Sequence, residues 1–149
     1  MRGRLFTCDH KVYDLPPLLE WKVVHTGGVP CDSYSVTFLF DRQQMPYLEK
    51  AAGFMGLENG HIVARGIVDE YTVDLGAKGM TATLTGRGAA ARLLDNESRP
   101  VTYEGATLAE IIRCHVTPYG VVTRETADLR ADSVYTVPAG VSQWKALAD

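Results

Sequence analysis

Glu58-Asn59-Gly60 constrains this chain more than any other short segment. Asn-Gly accepts the positive φ angles of a type I′ turn, the turn that closes tight β-hairpins. The flanking residues predict strands over residues 53–57 and 61–74. The second strand is long and carries Gly66 near its middle. A glycine inside a long strand marks a bend or bulge, as barrels require at their corners. After the turn DLGAKG, Met80, Ala82 and Leu84 alternate with Thr81, Thr83 and Thr85, which supplies a hairpin partner.

Two earlier stretches show the same period of two. Leu19, Trp21 and Val23 alternate with Glu20 and Lys22, and Tyr34, Val36, Phe38 and Phe40 alternate with Ser33, Ser35 and Thr37. Such alternation means a half-buried strand. The aromatic stripe Trp21, Tyr34, Phe38 and Phe40 is expected in a core. Residues 43–52 read as one or two helical turns, with Pro46 suited to the first. Several short antiparallel strands of this kind suggest a small barrel or sandwich.

The texture changes after Gly86. GRGAAARLLD reads as a short helix and residues 100–105 as an extended link. Thr107 with Glu110 forms a T-x-x-E capping box, whose side chains satisfy N–H groups left free at a helix start. Leu108, Ile111, Ile112 and His115 follow at helical spacing, and Pro118 and Gly120 end the helix. Residues 121–123 and 133–137 are expected as short strands. Ser142 is expected to cap a last helix that presents Trp144, Leu147 and Ala148. That helix stops about two turns in, which suggests a truncated chain.

Bulk properties exclude several classes. Of 149 residues, 46% are apolar, enough for a packed core. A net charge of −3 argues against nucleic-acid binding, which needs clustered Lys and Arg. No apolar run approaches a bilayer span, and MRGRLFTCDHK lacks the apolar middle of a signal peptide. Three cysteines, an odd number, fit a reducing compartment.

The ordered series of segments resembles the baseplate hub proteins of contractile-tailed phages, the Mu-like and P2-like late-control D group and related prophage tail proteins. The series runs Gly66-Ile67-Val68-Asp69, then Leu84-Thr85-Gly86-Arg87 through Leu93-Leu94-Asp95. Thr107-Leu108 through Pro118-Tyr119-Gly120-Val121 comes next, then Val137, Gly140, Ser142, Trp144 and Leu147. Relatives carry an acidic or polar residue after Gly-Arg, where this chain has Gly88.

The resemblance favours a mainly β fold: a small antiparallel β-barrel hub domain over residues 1–100, then a partial α/β module over 101–149. It implies a structural subunit, not an enzyme, that joins tail tube to central spike. Self-association into a trimer, contacts with tube and spike proteins, and residence in a tail particle assembled in the bacterial cytoplasm are implied with it. Candidate interaction residues are Asn59, Asp69, Lys78, Gly86 and Arg87.

Other chemistry is weaker. Cys8, His10, His25, Cys31, His61, Cys114 and His115 are scattered without paired zinc spacing, and Cys114 is expected in the core. Asp69 and Glu70 point to opposite faces of a strand, so they do not converge as an acid/base pair. GRGAAA lacks the Lys-Ser/Thr ending of a phosphate loop. No cofactor or metal is expected. The competing readings are a ligand- or carbohydrate-binding barrel with an aromatic-lined pocket and, behind it, a cell-wall hydrolase.

Overall fold

The computed structural model describes residues 1–149 except Lys78, Arg124, Glu125, Asp132, Ser133 and Asp149. The chain divides into two units, Met1–Gly88 and Ala89–Asp149.

The first unit is built on one antiparallel sheet. Its strands are β1 (Arg2–Thr7), β2 (Val12–Asp14), β3 (Leu18–Val24), β4 (Ser33–Leu39), β5 (Ala51–Glu58), β6 (His61–Gly76) and β7 (Gly79–Gly88). The hydrogen-bonded order is β2-β1-β5-β6-β7-β4-β3. Asn59 (φ 49°) and Gly60 (φ 81°) make the β5–β6 turn as their residue types require. A 3-10 turn at Arg42–Gln44, capped by the Asp41 carboxylate, and helix α1 (Met45–Glu49) with Pro46 in its first turn link β4 to β5.

β6 belongs to two half-sheets. From His61 to Ile67 it pairs with β5, and from Gly66 to Gly76 with β7. The changeover sits at Gly66 and at a β-bulge on Asp69, where the β6–β7 register shifts between Val68 and Glu70. A bulge sharpens local twist and bends a strand, and the two halves then face one another. Leu5 and Phe54 from one half meet Val36, Phe38 and Leu84 from the other in a single core. Each of these side chains is at most 1% exposed. Full burial of such a side chain contributes about 1.5–3 kcal/mol.

The two end strands, β2 and β3, are consecutive in sequence and joined only by residues 15–17. Laid flat, the ends of a seven-stranded sheet would stand about 29 Å apart at about 4.8 Å per strand. The four Cα steps from Asp14 to Leu18 span at most about 15 Å. The sheet must therefore roll. It does not close: among the described residues no ladder joins β2 to β3. The expected closed barrel is corrected to a rolled sheet with an open seam. The connector adds no ladder bonds of its own. Pro16 and Pro17 have no N–H to donate, and the Leu15 N–H is spent on the Gly3 carbonyl at 2.9 Å.

Trp21 corrects a second expectation. Tyr34, Phe38 and Phe40 are buried, but Trp21 is 44% exposed. It lies opposite Val36 and so has the inward register, yet β3 ends the sheet and little covers it. Leu19 falls at the β3–β4 register shift and is also exposed.

The second unit holds α2 (Arg92–Asp95), β8 (Val101–Glu104), α3 (Leu108–His115), β9 (Val134–Val137) and α4 (Lys145–Ala148). The segment expected as an extended link is β8, paired antiparallel with β9. Residues 121–123 form no strand, and Ser133 lies outside the described residues. α3 carries the capping box: Glu110 Oε2 accepts from the Thr107 N–H at 2.8 Å, and Thr107 Oγ1 from the Glu110 N–H at 3.3 Å. Those bonds to Thr107 hold the Glu110 carboxyl below its ordinary pKa. Ile111 and His115 are the buried face of α3. Ser142 Oγ accepts from the Lys145 N–H at the start of α4.

Candidate functional site

Three of the five candidate residues meet at the bend of β6. Asp69 is the bulged residue, and Arg87 on β7 grips it with two bonds, Nε to Oδ2 at 2.8 Å and Nη2 to Oδ1 at 2.9 Å. Both side chains are about one-third exposed (31% and 34%), so the pair borders solvent. A planar guanidinium bound through two nitrogens fixes the direction of a carboxylate as well as its distance.

Gly86 has a different task. A β-carbon there would collide with the Ile67 carbonyl oxygen and with the hydroxyl end of Tyr34. The Tyr34 ring crosses this position, donates its hydroxyl to the Ile67 carbonyl at 2.7 Å, and stacks on Phe54 with ring centroids 4.7 Å apart. Burial, and secondarily the Asp69 charge, raises the Tyr34 phenol above its ordinary pKa. Gly66 is required in the same way, because a β-carbon would strike the Arg87 carbonyl. The strand reaches Gly88, so Gly86 is not where strand becomes helix. Gly88 itself has room for a side chain, the nearest atom to a β-carbon being Asp32 Cβ at 3.5 Å. Glycine there is no steric necessity.

Asn59 stands apart from this cluster, up to about 30 Å along β6 at 3.3 Å per residue. It borders a groove of about 890 Å³ formed by β1, the 15–17 connector and the β5–β6 turn, with Arg2, Arg4, Asp14 and Glu58 at its walls. None of the core aromatics lines that groove. Lys78 lies outside the described residues.

This rolled sheet, bent at Gly66–Asp69, with the second unit's elements, has counterparts among solved proteins. The tail protein from Neisseria meningitidis MC58 matches with a TM-score of 0.73 over 98% of this chain at 17% identity. A 43 kDa tail protein of prophage MuSo2 from Shewanella oneidensis matches at 0.72 over 99% and 16% identity. The chain shares the fold of these two tail proteins. The chain spans 43% and 47% of the length of those two tail proteins. No protein-family model matches the sequence, and no curated protein matches it by sequence.

Within this tail-protein fold the second unit contains a polar cluster that sequence reasoning missed. Ser98, His115 and Gln143 are buried, each 5% exposed or less. Gln143 Nε2 donates to the Glu97 carbonyl and the Tyr119 hydroxyl, both at 2.9 Å. Its Oε1 therefore faces His115 Nδ1 at 2.6 Å, which makes Nδ1 the donor. His115 Nε2 accepts from the Tyr103 hydroxyl at 3.0 Å. Burial first, then the neighbouring Cys114 thiol, pushes the Tyr103 phenol up to about 12. Ser98 Oγ is 3.3 Å from His115 Nδ1. A nucleophilic pair needs a substrate path, and this one is enclosed; its partners are satisfied, as in a structural core network. The signal available in the sequence was His115 on the apolar face of α3. Cys114, expected in the core, is exposed.

The Asp69 carboxylate is committed to Arg87. Among the described residues no three of His, Cys, Asp and Glu converge as metal ligands, and no helix is long and apolar enough to cross a membrane.

Proposed function

We propose that this chain is a structural, non-enzymatic subunit of a phage or phage-derived contractile tail, placed at the baseplate hub between tail tube and spike. The observation that carries the reading is the fold match to a Neisseria tail protein and a prophage tail protein over nearly the whole chain. Hub placement, association into a trimer, and contact with tube and spike proteins rest on the ordered sequence segments from Gly66 to Leu147. The tight chemistry at Asp69, Gly86 and Arg87 supports a role for that cluster as the corner of the sheet. Loops and free strand edges are left as the contact-forming parts. Assembly of these contacts in the host cytoplasm and residence in the tail particle follow from the same reading.

The ligand-binding alternative is disfavoured by packing. It needs the aromatics to line a pocket, whereas Phe38 and Phe54 are at most 1% exposed and Tyr34 stacks on Phe54.

The test is to co-express the chain with a set of phage tail genes, isolate tail particles on a density gradient and map cross-links from Lys50. The expected result is recovery of the chain in particles, cross-linked to tube or spike proteins and to other copies. A chain that stays at the top of the gradient with no cross-link to a tail protein would refute the proposal.

A further inference from the structure

The β6–β7 hairpin outruns the core it helps to build. Tyr71, Val73 and Leu75 lie on one face of β6, opposite Leu84, Ala82 and Met80 of β7. Leu84 and Ala82 are buried, and Val73 and Met80 pack at the border of the core. Leu75, at the end of that same face, is 81% exposed. At the other end of β6 the β5–β6 turn borders the groove of about 890 Å³, which Leu15, Pro16, Pro17 and Leu18 also line. The 16 residues of β6 place about 50 Å of strand contour between groove and tip at 3.3 Å per residue. No residue of the tip lines the groove of its own chain.

Charge matches the two ends. The tip sequence Asp74-Leu75-Gly76-Ala77-Lys78 carries one acid and one base. In the groove Arg4 is committed to Asp14 at 2.8 Å. That leaves one base, Arg2, and one acid, Glu58, without an ion-pair partner among the described residues. Asp74 has none either, and both Asp74 and Arg2 are exposed. We propose that the hairpin tip of one copy docks in the groove of the next, with Leu75 against the Leu15–Leu18 wall and Asp74 facing Arg2. Tip and groove are different surfaces, so the contact is heterologous. Repeated head to tail, such contacts close into a ring when the rotation per step fits, and three of them make a trimer. The bend of β6 lies between the two surfaces and sets that rotation. The inference rests on the trimer of the proposed function and names the surfaces that build it.

Sedimentation velocity over a concentration series of the purified chain tests it, with Asp74→Arg, Arg2→Asp and Leu75→Ser. All three positions are exposed, so the core is undisturbed. Each charge reversal sets like charges in every contact and should weaken the trimer about tenfold or more per contact; Leu75→Ser should weaken it too. Both reversals in one chain recreate opposite charges throughout and should restore the trimer. An equimolar mixture of the two single variants should restore it only in part, because in a ring of three at least one contact joins two copies of the same variant. A trimer indifferent to all three substitutions overturns the inference and leaves trimer formation standing. Full rescue by mixing, with a dimeric mass, overturns it as well, since only a twofold contact pairs each variant with the other everywhere. So does a wild-type chain that is monomeric throughout; recovery in tail particles then decides the tail reading separately.

Discussion

Gly86→Ala puts a single methyl group at the most crowded backbone position of the bend. The added carbon would overlap the Ile67 carbonyl oxygen and the hydroxyl end of Tyr34, so the ring must leave. Three losses follow. The Tyr34–Ile67 hydrogen bond is worth about 0.5–1.5 kcal/mol, and the stack on Phe54 a further 0.5–1.5 kcal/mol or so. Forcing extra volume into a filled core costs about 1–3 kcal/mol. Reduced freedom of the unfolded chain offsets about 0.4–1 kcal/mol. The net is about 2–5 kcal/mol, a large share of the 5–15 kcal/mol or so that holds a domain together. Urea denaturation followed by Trp21 fluorescence, in a Trp144→Phe background, reads the first unit alone. Gly88→Ala is the control, since its nearest neighbour would be an ordinary contact at 3.5 Å; it should lie within about 0.5 kcal/mol of the parent. Equal stabilities for the two variants would refute the claim that Tyr34 packing dictates Gly86.

Tyr34→Phe keeps the ring and removes the bond to Ile67, so it should cost about 1 kcal/mol in the same assay. Because the folded Tyr34 phenol is raised, its contribution is complete below the unfolded value near 10 and declines as pH rises beyond it; absorbance titration should show a late-ionising tyrosine in addition to Tyr103, and Tyr34→Phe should remove it while leaving Tyr103. Asp9 should titrate at about 2 by carboxyl-carbon NMR, held down first by the Thr7 hydroxyl and then by Lys11 and Lys50. Its contribution is present above the unfolded value and is lost as pH falls through about 2; Thr7→Ala should move the midpoint back up. Ile111→Asp buries an unpaired charge at a position 7% exposed and should unfold the second unit, detected as loss of cooperative melting by Trp144 fluorescence.

Features set by local chemistry were legible from residues alone. Asn59-Gly60 dictates its own turn, Thr107 and Glu110 their own cap, and strict alternation located β4 with its buried Tyr34, Val36 and Phe38. Gly66 correctly marked the bend in β6, though not that a neighbouring backbone, the Arg87 carbonyl, excludes a β-carbon there. What failed was whatever depends on neighbours. Alternation told which way Trp21 points but not that β3 lies at an edge. β2 is three residues long and shows no period, so the β1–β2 hairpin went unseen. Asp69 and Arg87 lie 18 residues apart, and only the β6–β7 pairing brings them together. A separation of 28 residues likewise hid Gln143 from His115.

The three-residue tie between β2 and β3 has a consequence for motion. It permits the seam to widen and narrow, since no ladder spans it, but sets a hard stop at the contour length of residues 15–17. Two consecutive prolines stiffen that tether and remove slack that a flexible link would allow. The rolled sheet therefore behaves like a split ring on a short leash. It can yield to a neighbouring surface by breathing at one place, and it cannot unroll without breaking its core.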